Sequence, residues 1–512
     1  MYAKITSAGL FGLHACPVQV EADLSRGVPS FEVVGLPDAA VRESRDRVKA
    51  SLRNSGFEFP LARITVNLAP ADLKKVGPIY DLPILLALLA ASGQLRLPQG
   101  KTLEGDLFMG ELALDGSVRR VQGVLPMAIM AREQGFRRLF VPADNAAEAS
   151  AVQGLEIYGV SSARELIDFL EGLKAIAPQP PLEFHPTSAP HADMSEVLGQ
   201  KVAKRAMEVA AAGGHNILMV GSPGSGKSML ARRLPGILPD MTFEEAIETT
   251  KIHSIAGTLS PQEPIVTVRP FRAPHHTISA AGLSGGGSIP RPGELSLAHN
   301  GVLFLDEVPE FDRQVLEVLR QPMEEAAVTI ARVNGTLTYP CQVLLVAAMN
   351  PCPCGYFGHP NHKCRCSPQQ VARYLGRISG PFLDRIDLHI ELAPVKFSQL
   401  TKQQKGETSA QIRERVNRAR AIQLARYAGT GIRCNAQLTP ELLREYCQVT
   451  DEGMAQLKLA FERLDLSARG YDRILKVART IADLAESPQI QKEHICEAIV
   501  YRSLDRKYWG KI

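Results

Sequence analysis

At 512 residues the chain is too long for a single hydrophobic core, and its length points to about three domains. Hydrophobic residues make up 45% and charged residues 22%, which excludes a disordered or fibrous chain and fits an ordinary globular one. A net charge of +4 over that length neither demands nor excludes nucleic acid, so any such partner must be argued from local patches.

The first residues, MYAKITSAGLFGLHACPVQV, hold no long apolar run, so no secretory signal is expected. The longest apolar stretch, Leu82–Ala91, is far short of a spanning helix, so no membrane partner is expected. A cytoplasmic location follows as the expectation, with the nine cysteines reduced. Short alternating runs at Gln19–Ala22 and Phe31–Val34 read as strands. Asp38 opens a helix over Asp38–Ser55 as its N-cap. ARITVNLAP reads as a strand, Leu82–Ala91 as a buried helix, and Pro126–Gly135 as a helix leading into the strand Arg138–Val141. Residues 1–173 thus predict an α/β domain, and the proline-dense stretch that ends at Asp193 predicts a linker over 174–193. Over 194–396 strands and helices alternate as in a parallel sheet with crossovers. The polar run SQLTKQQKGETS reads as a hinge, and 397–512 forms a domain whose pattern is helical only from about Ala410 onward. Its helices are expected at Ala410–Tyr427, Pro440–Val449, Asp451–Leu464, Tyr471–Ala485 and Gln491–Arg502.

The middle domain carries the chemistry. The apolar run Ile217–Val220 leads into Gly221, Ser222, Pro223, Gly224, Ser225, Gly226, Lys227 and Ser228, and then a helix. This is the phosphate-binding loop G-x-x-x-x-G-K-[ST] between strand and helix. Its glycines let backbone N–H groups turn inward around the phosphates of ATP. Lys227 supplies a point charge, and the Ser228 hydroxyl is a ligand for Mg²⁺. Downstream, GVLFLDE ends an apolar strand in two carboxylates. Asp306 can hold the hydrated Mg²⁺, and Glu307 can orient and deprotonate the attacking water. Taken alone, DE after a strand fits an acidic turn equally well; the phosphate loop upstream is what gives it weight. Asn350 ends a third apolar strand, Val343–Met349, where a polar group can contact the γ-phosphate or the water. Arg385, between a short apolar run and the strand Ile386–Leu392, fits an arginine finger reaching a neighbouring subunit. A salt bridge to Asp384 or Asp387 is the competing role.

With these elements in order, the chain resembles an AAA+ ATPase of the magnesium-chelatase-related group, and more narrowly the YifB/ComM family. Besides GSPGSGKS, the resemblance is carried by GLPDAAVRESRDRVKASLRNSGFEFP (Gly35–Pro60), FRAPHHTISAAGLSGG (Phe271–Gly286), GELSLAHNGVLFLDE (Gly293–Glu307) and NPCPCG (Asn350–Gly355). It covers essentially the whole chain. It implies an α/β multidomain fold: a Lon-protease-like N-terminal domain, a three-layer αβα AAA+ core and a C-terminal helical lid of the magnesium-chelatase type. It implies that Arg385 acts in trans within a homo-oligomeric ring, with a hexamer as the expectation, and that Arg473 is a cis-acting sensor, with Arg469 as the alternative. Leu198-Gly199-Gln200 would lie near the adenine, Gly257–Pro292 would be an insert, and Val328–Tyr339 a hairpin turning at Asn334-Gly335. That turn is also expected from the residues alone. In proteases with the Lon-like fold the catalytic pair is Ser–Lys. Here the serine position holds Ile79, and Leu125–Met127 contains no lysine, so no peptide hydrolysis is expected.

Cys352, Cys354, Cys364 and Cys366 place four thiols within fifteen residues, in the loop 351–367, and suit a tetrahedral Zn²⁺ site. The one-residue spacing within each pair is tighter than usual, and His359 and His362 are alternative ligands. For the use of the ATP energy, the resemblance implies a ring helicase promoting branch migration in homologous recombination or transformation. Arg413, Arg415, Arg418, Arg420 and Arg426 on one helix would neutralise DNA phosphates, or else form a solvated outer face. Arg269, Arg272, His275, His276 and Arg332 would line a pore. The alternative is a protein remodeller or chelatase-type motor without DNA activity, acting through the N-terminal domain.

Overall fold

The computed structural model describes residues 1–186, 192–287, 290–332, 335–394, 406–464, 466–502 and 504–509. The chain folds into two compact units. One comprises Met1–His185 with Ala246–Val266; the other comprises Pro186–Glu245 with Thr267–Ile512.

The first unit is built on four strands: β1 (Tyr2–Phe11), β2 (His14–Ser25), β3 (Ser30–Val34) and β4 (Arg63–Ala69). Their order is β1-β2-β4-β3, with only the β3–β4 pair parallel. Along β4 the alternation is strict: Ile64, Val66 and Leu68 are buried, and the residues between them are not. Asp38 caps as expected, accepting from the Val41 N–H at 2.8 Å, but the helix breaks into Ala39–Arg42 and Ser44–Asn54. Helix α1 (Asp81–Ala91) is buried on all sides, as a helix without a polar face must be. A second, parallel sheet joins β5 (Asp106–Phe108), β6 (Arg138–Pro142) and β7 (Glu156–Val160). Its face carries a ladder of rings, Phe108 on Phe140 at 4.7 Å and Phe140 on Tyr158 at 5.1 Å. Ile79, Leu125 and Met127, where a Lon-type pair would stand, are buried packing residues.

Ala246–Val266 belongs to this unit because it satisfies polar groups there. The buried Glu148 carboxylate accepts from the Leu125 N–H and from the Ser254 hydroxyl. The Gly123 N–H donates to Ser254 O at 3.1 Å, and Arg120 donates to Leu259 O at 2.6 Å. Unpartnered, these buried groups would each destabilise the fold by a few kcal/mol. The compact units therefore depart from the unbroken 194–396 block read from the sequence, and the first ten residues of the expected 257–292 insert lie in the N-terminal unit.

The second unit holds helix α2 (Lys201–Gly213), β8 (Ile217–Gly221), α3 (Lys227–Arg233), β9 (Phe271–Arg272), β10 (Val302–Leu305), β11 (Leu344–Met349) and β12 (Leu388–Leu392). The five strands form one parallel sheet in the order β9-β10-β11-β8-β12. Every residue of β8, β10 and β11 is buried, as in a parallel sheet covered on both faces. Ala327–Arg332 pairs with Gly335–Pro340 as the expected hairpin; its turn at Asn334 lies outside the described residues, as does most of the expected hinge after Val395.

The C-terminal helices share the core of the sheet rather than forming one of their own. Ile412, Val416 and Ala419 of α4 (Ser409–Arg426), and Ile474, Val477 and Ile481 of α5 (Ala468–Leu484), pack into one apolar cluster with Ile217, Val346 and Leu388. Beside it, the fully buried Asp483 accepts from Arg426 at 2.5 Å, Arg479 at 3.1 Å and Asn435 at 2.8 Å. Truncation strands two guanidinium groups in the interior. We expect Asp483→Ala to destabilise this unit by roughly 3–5 kcal/mol, read as a lower denaturation midpoint of the fluorescence of Trp509, the single tryptophan.

Candidate functional site

The register of the parallel sheet gathers the motif residues at its carboxyl edge. Val220 pairs with Met349, and Leu305 with Ala347, so the chain leaves β8, β10 and β11 at nearly the same level. The next residues, Gly221, Asp306 and Asn350, therefore face one another. Lys227 Nζ donates to Gly221 O at 2.8 Å, Ser222 O at 3.1 Å and Asn350 Oδ1 at 3.1 Å. Ser228 Oγ donates to Asp306 Oδ2 at 2.7 Å. Burial pulls the Lys227 ammonium below the ordinary lysine value, with Asp306 and Glu307 opposing. Gly224 and Gly226 sit at φ +76° and +93°, which a side chain would strain. Gly221 is needed for space: a Cβ there would lie 2.6 Å from Ser225 Oγ and 3.2 Å from Leu392 O. Gln200 donates to Ser225 O at 3.3 Å and Ala393 O at 2.7 Å, which ties Leu198-Gly199-Gln200 to the loop.

Glu307 takes a left-handed conformation, φ 54° and ψ 47°, fixed by its N–H donating to Asp306 Oδ1 at 3.0 Å and its carbonyl accepting from Glu310 N at 2.7 Å. Its side chain is half-exposed, with His276 Nδ1 3.8 Å away. Sequence reasoning grouped His276 with pore residues; only the fold returns it to the carboxylate pair.

Arg385 and Arg473 stand elsewhere. Both line a cavity of about 590 Å³ with Arg269, Arg420 and Lys476, next to Asn216, Gly301 and Val343. Those last residues precede β8, β10 and β11, so the cavity lies at the amino edge of the sheet, roughly 16 Å from the phosphate loop along a five-residue strand. The buried Arg385 guanidinium is held by Glu324 at 2.5 Å and Pro381 O at 2.6 Å, not by Asp384 or Asp387. Glu324, 61 positions upstream, gave no signal in the sequence. Arg473 instead pairs with Asp387, whose other oxygen lies 3.2 Å from His215 Nδ1. Burial opposes the charge of Asp387, but Arg473 and His215 outweigh it and hold the carboxyl well below the usual range. The cis-sensor expectation for Arg473 is thus corrected by its position across the sheet from the loop, and Arg469 is exposed in the first turn of α5.

The family model described as "Magnesium chelatase, subunit ChlI" matches residues 193–400. "Subunit ChlI of Mg-chelatase" matches 20–145, and "Magnesium chelatase, subunit ChlI C-terminal" matches 406–502. The competence protein ComM of Haemophilus influenzae is 46% identical over 98% of either chain. The chain belongs to the YifB/ComM family of magnesium-chelatase-like ATPases. YifB of Escherichia coli is 45% identical over 97% of this chain and 96% of its own. A magnesium-chelatase 67 kDa subunit of Chlorobaculum tepidum is 25% identical over 41% of this chain and 28% of its own.

In this YifB/ComM member the arginines of α4 are engaged within the chain. Arg415 binds Glu208 at 2.5 Å and Glu407 at 2.9 Å, and Arg426 binds Asp483. Arg420 is buried against the carbonyls of Ala211 and Ala212, closing the C-terminus of α2. Arg413 and Arg418 sit 3.9 and 3.8 Å from Asp240 and Glu486. The helix is therefore a packing element with acidic partners, not a free basic stripe. Arg269 and Arg272 are likewise paired, with Glu245 at 2.7 Å and Glu294 at 2.6 Å. The His275 ring turns to Thr277 at 2.9 Å, and the side chain of Arg332 lies outside the described residues. No helix among the described residues is long and apolar enough to cross a membrane.

The four cysteines converge despite their tight spacing. Cys352 Sγ lies 3.4 Å from Cys354 and 3.7 Å from Cys364, and all four sulfurs lie within 4.8 Å of one another. His359 Nδ1 instead accepts the N–H groups of Asn361 and His362, both at 3.0 Å, so the cluster is one of sulfur alone.

Proposed function

We propose that this chain is a ring-forming AAA+ ATPase that couples Mg-ATP hydrolysis to the remodelling of DNA, as a branch-migration helicase. One observation carries the ATPase reading: Lys227, Ser228, Asp306, Asn350 and Glu307 are gathered at one edge of one parallel sheet. Mg²⁺ would be held by Ser228 and Asp306 and would neutralise charge on the β- and γ-phosphates. Lys227 binds the phosphates, Asn350 orients the γ-phosphate or the water, and Glu307 takes the proton. In this reading the finger at this edge comes from another copy of the chain. Arg385, at the opposite edge, supplies it to a neighbouring subunit, and Arg473 faces the same cavity. A head-to-tail ring, with six subunits as the expectation, brings the two edges together. In this reading the four thiols hold one structural Zn²⁺, and the N-terminal unit serves assembly or binding rather than proteolysis.

The resemblance to the ComM group, together with the full-length likeness to a Haemophilus protein named a competence protein, supports DNA as the substrate. The intrachain pairing of the α4 arginines favours the second reading, a protein remodeller or chelatase-type motor without DNA activity. The discriminating measurement is ATP turnover with and without single-stranded or forked DNA across a salt series. We expect severalfold stimulation and binding that weakens as salt rises. Turnover indifferent to DNA, with no salt-sensitive binding, would leave the second reading.

A further inference from the structure

The segment that carries the sulfur cluster packs against the phosphate loop. A tetrahedral site with Zn–S bonds of about 2.3 Å has S···S edges of about 3.8 Å. The edges of 3.4, 3.7 and 3.6 Å among Cys352, Cys354 and Cys364 are close to that frame, and Cys366 Sγ lies within 4.8 Å of the other three sulfurs. Zinc fits because the donor set is all thiolate, which favours a soft or borderline metal over Mg²⁺ or Ca²⁺.

What the knot touches gives it a consequence. It starts two residues after Asn350, the partner of Lys227 Nζ. Within it, the chain turns at Gly355, whose N–H donates to Cys352 O at 2.9 Å and whose φ is +81°. A Cβ built on Gly355 would lie 2.4 Å from Cδ and 2.7 Å from Cγ of Pro223, the third residue of the phosphate loop. A Cβ on Gly224 or Gly226 would meet nothing within 4 Å, so the outer face of the loop is open beside that contact. The Cys352–Cys366 segment thus touches the loop at Pro223 and is joined through Asn350 to its lysine.

We propose that the metal-bound cysteine knot is a strut for the phosphate loop, so that nucleotide affinity depends on zinc occupancy. When the metal leaves, the four sulfurs no longer share a common centre. Gly355 and Asn350 then lose their fixed positions, and the loop loses the wall behind Pro223. The effect falls on nucleotide binding before it falls on the fold, because the apolar cluster shared by the sheet and the C-terminal helices contains none of the four cysteines.

This inference rests on the nucleotide-binding reading, and the test separates the two. The full-length chain is purified without added metal, and its zinc content is measured by mass spectrometry of the elements. Binding of a fluorescent, non-hydrolysable ATP analogue is titrated before zinc removal under reducing conditions, after removal, and after reloading. We expect about one zinc per chain, a rise in Kd of tenfold or more on removal, and recovery on reloading, with the circular-dichroism melt nearly unchanged. Gly355→Ala should keep its zinc and still bind the analogue more weakly; Cys496→Ser, at an exposed cysteine outside the cluster, should change neither. A chain without zinc overturns the metal site. Zinc that can be removed without changing Kd overturns the strut. A zinc-loaded chain that never binds the analogue overturns the nucleotide-binding reading instead.

Discussion

A Glu307→Gln chain should bind Mg-ATP as tightly as the parent and hydrolyse it at least about 100-fold more slowly, the ordinary scale for losing a general base. The separation of roles is visible in the contacts. Asp306 is committed: it accepts from Ser228 Oγ and from the Glu307 N–H, and its neighbours are the lysine and the loop. Glu307 is one residue further on, but its left-handed backbone turns the side chain out of the strand direction, leaving it half-exposed and facing His276. A non-glycine residue held at φ 54° is strained by of order 1–3 kcal/mol, and the surrounding turn supports that strain. The amide keeps the size and the hydrogen-bonding shape of the carboxylate but cannot take the proton from water. Nucleotide titration and phosphate release measured on the same preparation give the answer. Turnover at the parental rate would remove Glu307 from the role of base. A parallel loss of binding would mean that it positions Mg²⁺ as Asp306 does.

Much of this site was legible before the fold because its parts are local. Strand, glycine loop, lysine and serine are adjacent in sequence, and β10 and β11 are uninterrupted apolar runs ending in a polar residue. A parallel sheet then needs only correct register to bring those ends together. The parts that were not legible depend on long-range partners. Nothing near Arg385 in sequence names Glu324, and nothing near Arg473 names Asp387 as the residue that draws it to the far edge. The five arginines of α4 look like a nucleic-acid stripe because the acids and carbonyls that engage them come from α2, Glu407, Asp240, Asp483 and Glu486. Helical spacing shows which face a charge occupies and not what opposes it. The same limit hid Ala246–Val266, whose attachment is decided by the buried carboxylate of Glu148 rather than by any periodicity of its own.

Arg385→Ala should leave ATP binding intact and lower turnover by about 10³–10⁵, the range for an arginine finger. The position of Arg385 makes the loss shareable between subunits. Its guanidinium lies at the amino edge of the sheet, one strand length from the loop that its own chain supplies, and is paired there with the half-exposed Glu324. A neighbour's phosphates can replace Glu324 as the partner of the guanidinium; the chain's own phosphates, across the sheet, cannot. Lys227→Ala is the complementary defect, with the phosphate-binding charge gone and the finger intact. Each variant alone should be nearly inactive. Mixed in equal amounts before ring assembly, they should recover activity. A working interface needs a loop from an Arg385→Ala subunit and a finger from a Lys227→Ala subunit. Random assembly in a head-to-tail ring therefore gives about one quarter of the interfaces a complete site. Recovery approaching that fraction, rising as the two proteins are mixed and falling when either is in excess, places the finger in trans. A mixture no more active than its components would confine Arg385 to its own subunit, and the cavity at the amino edge would then need another occupant.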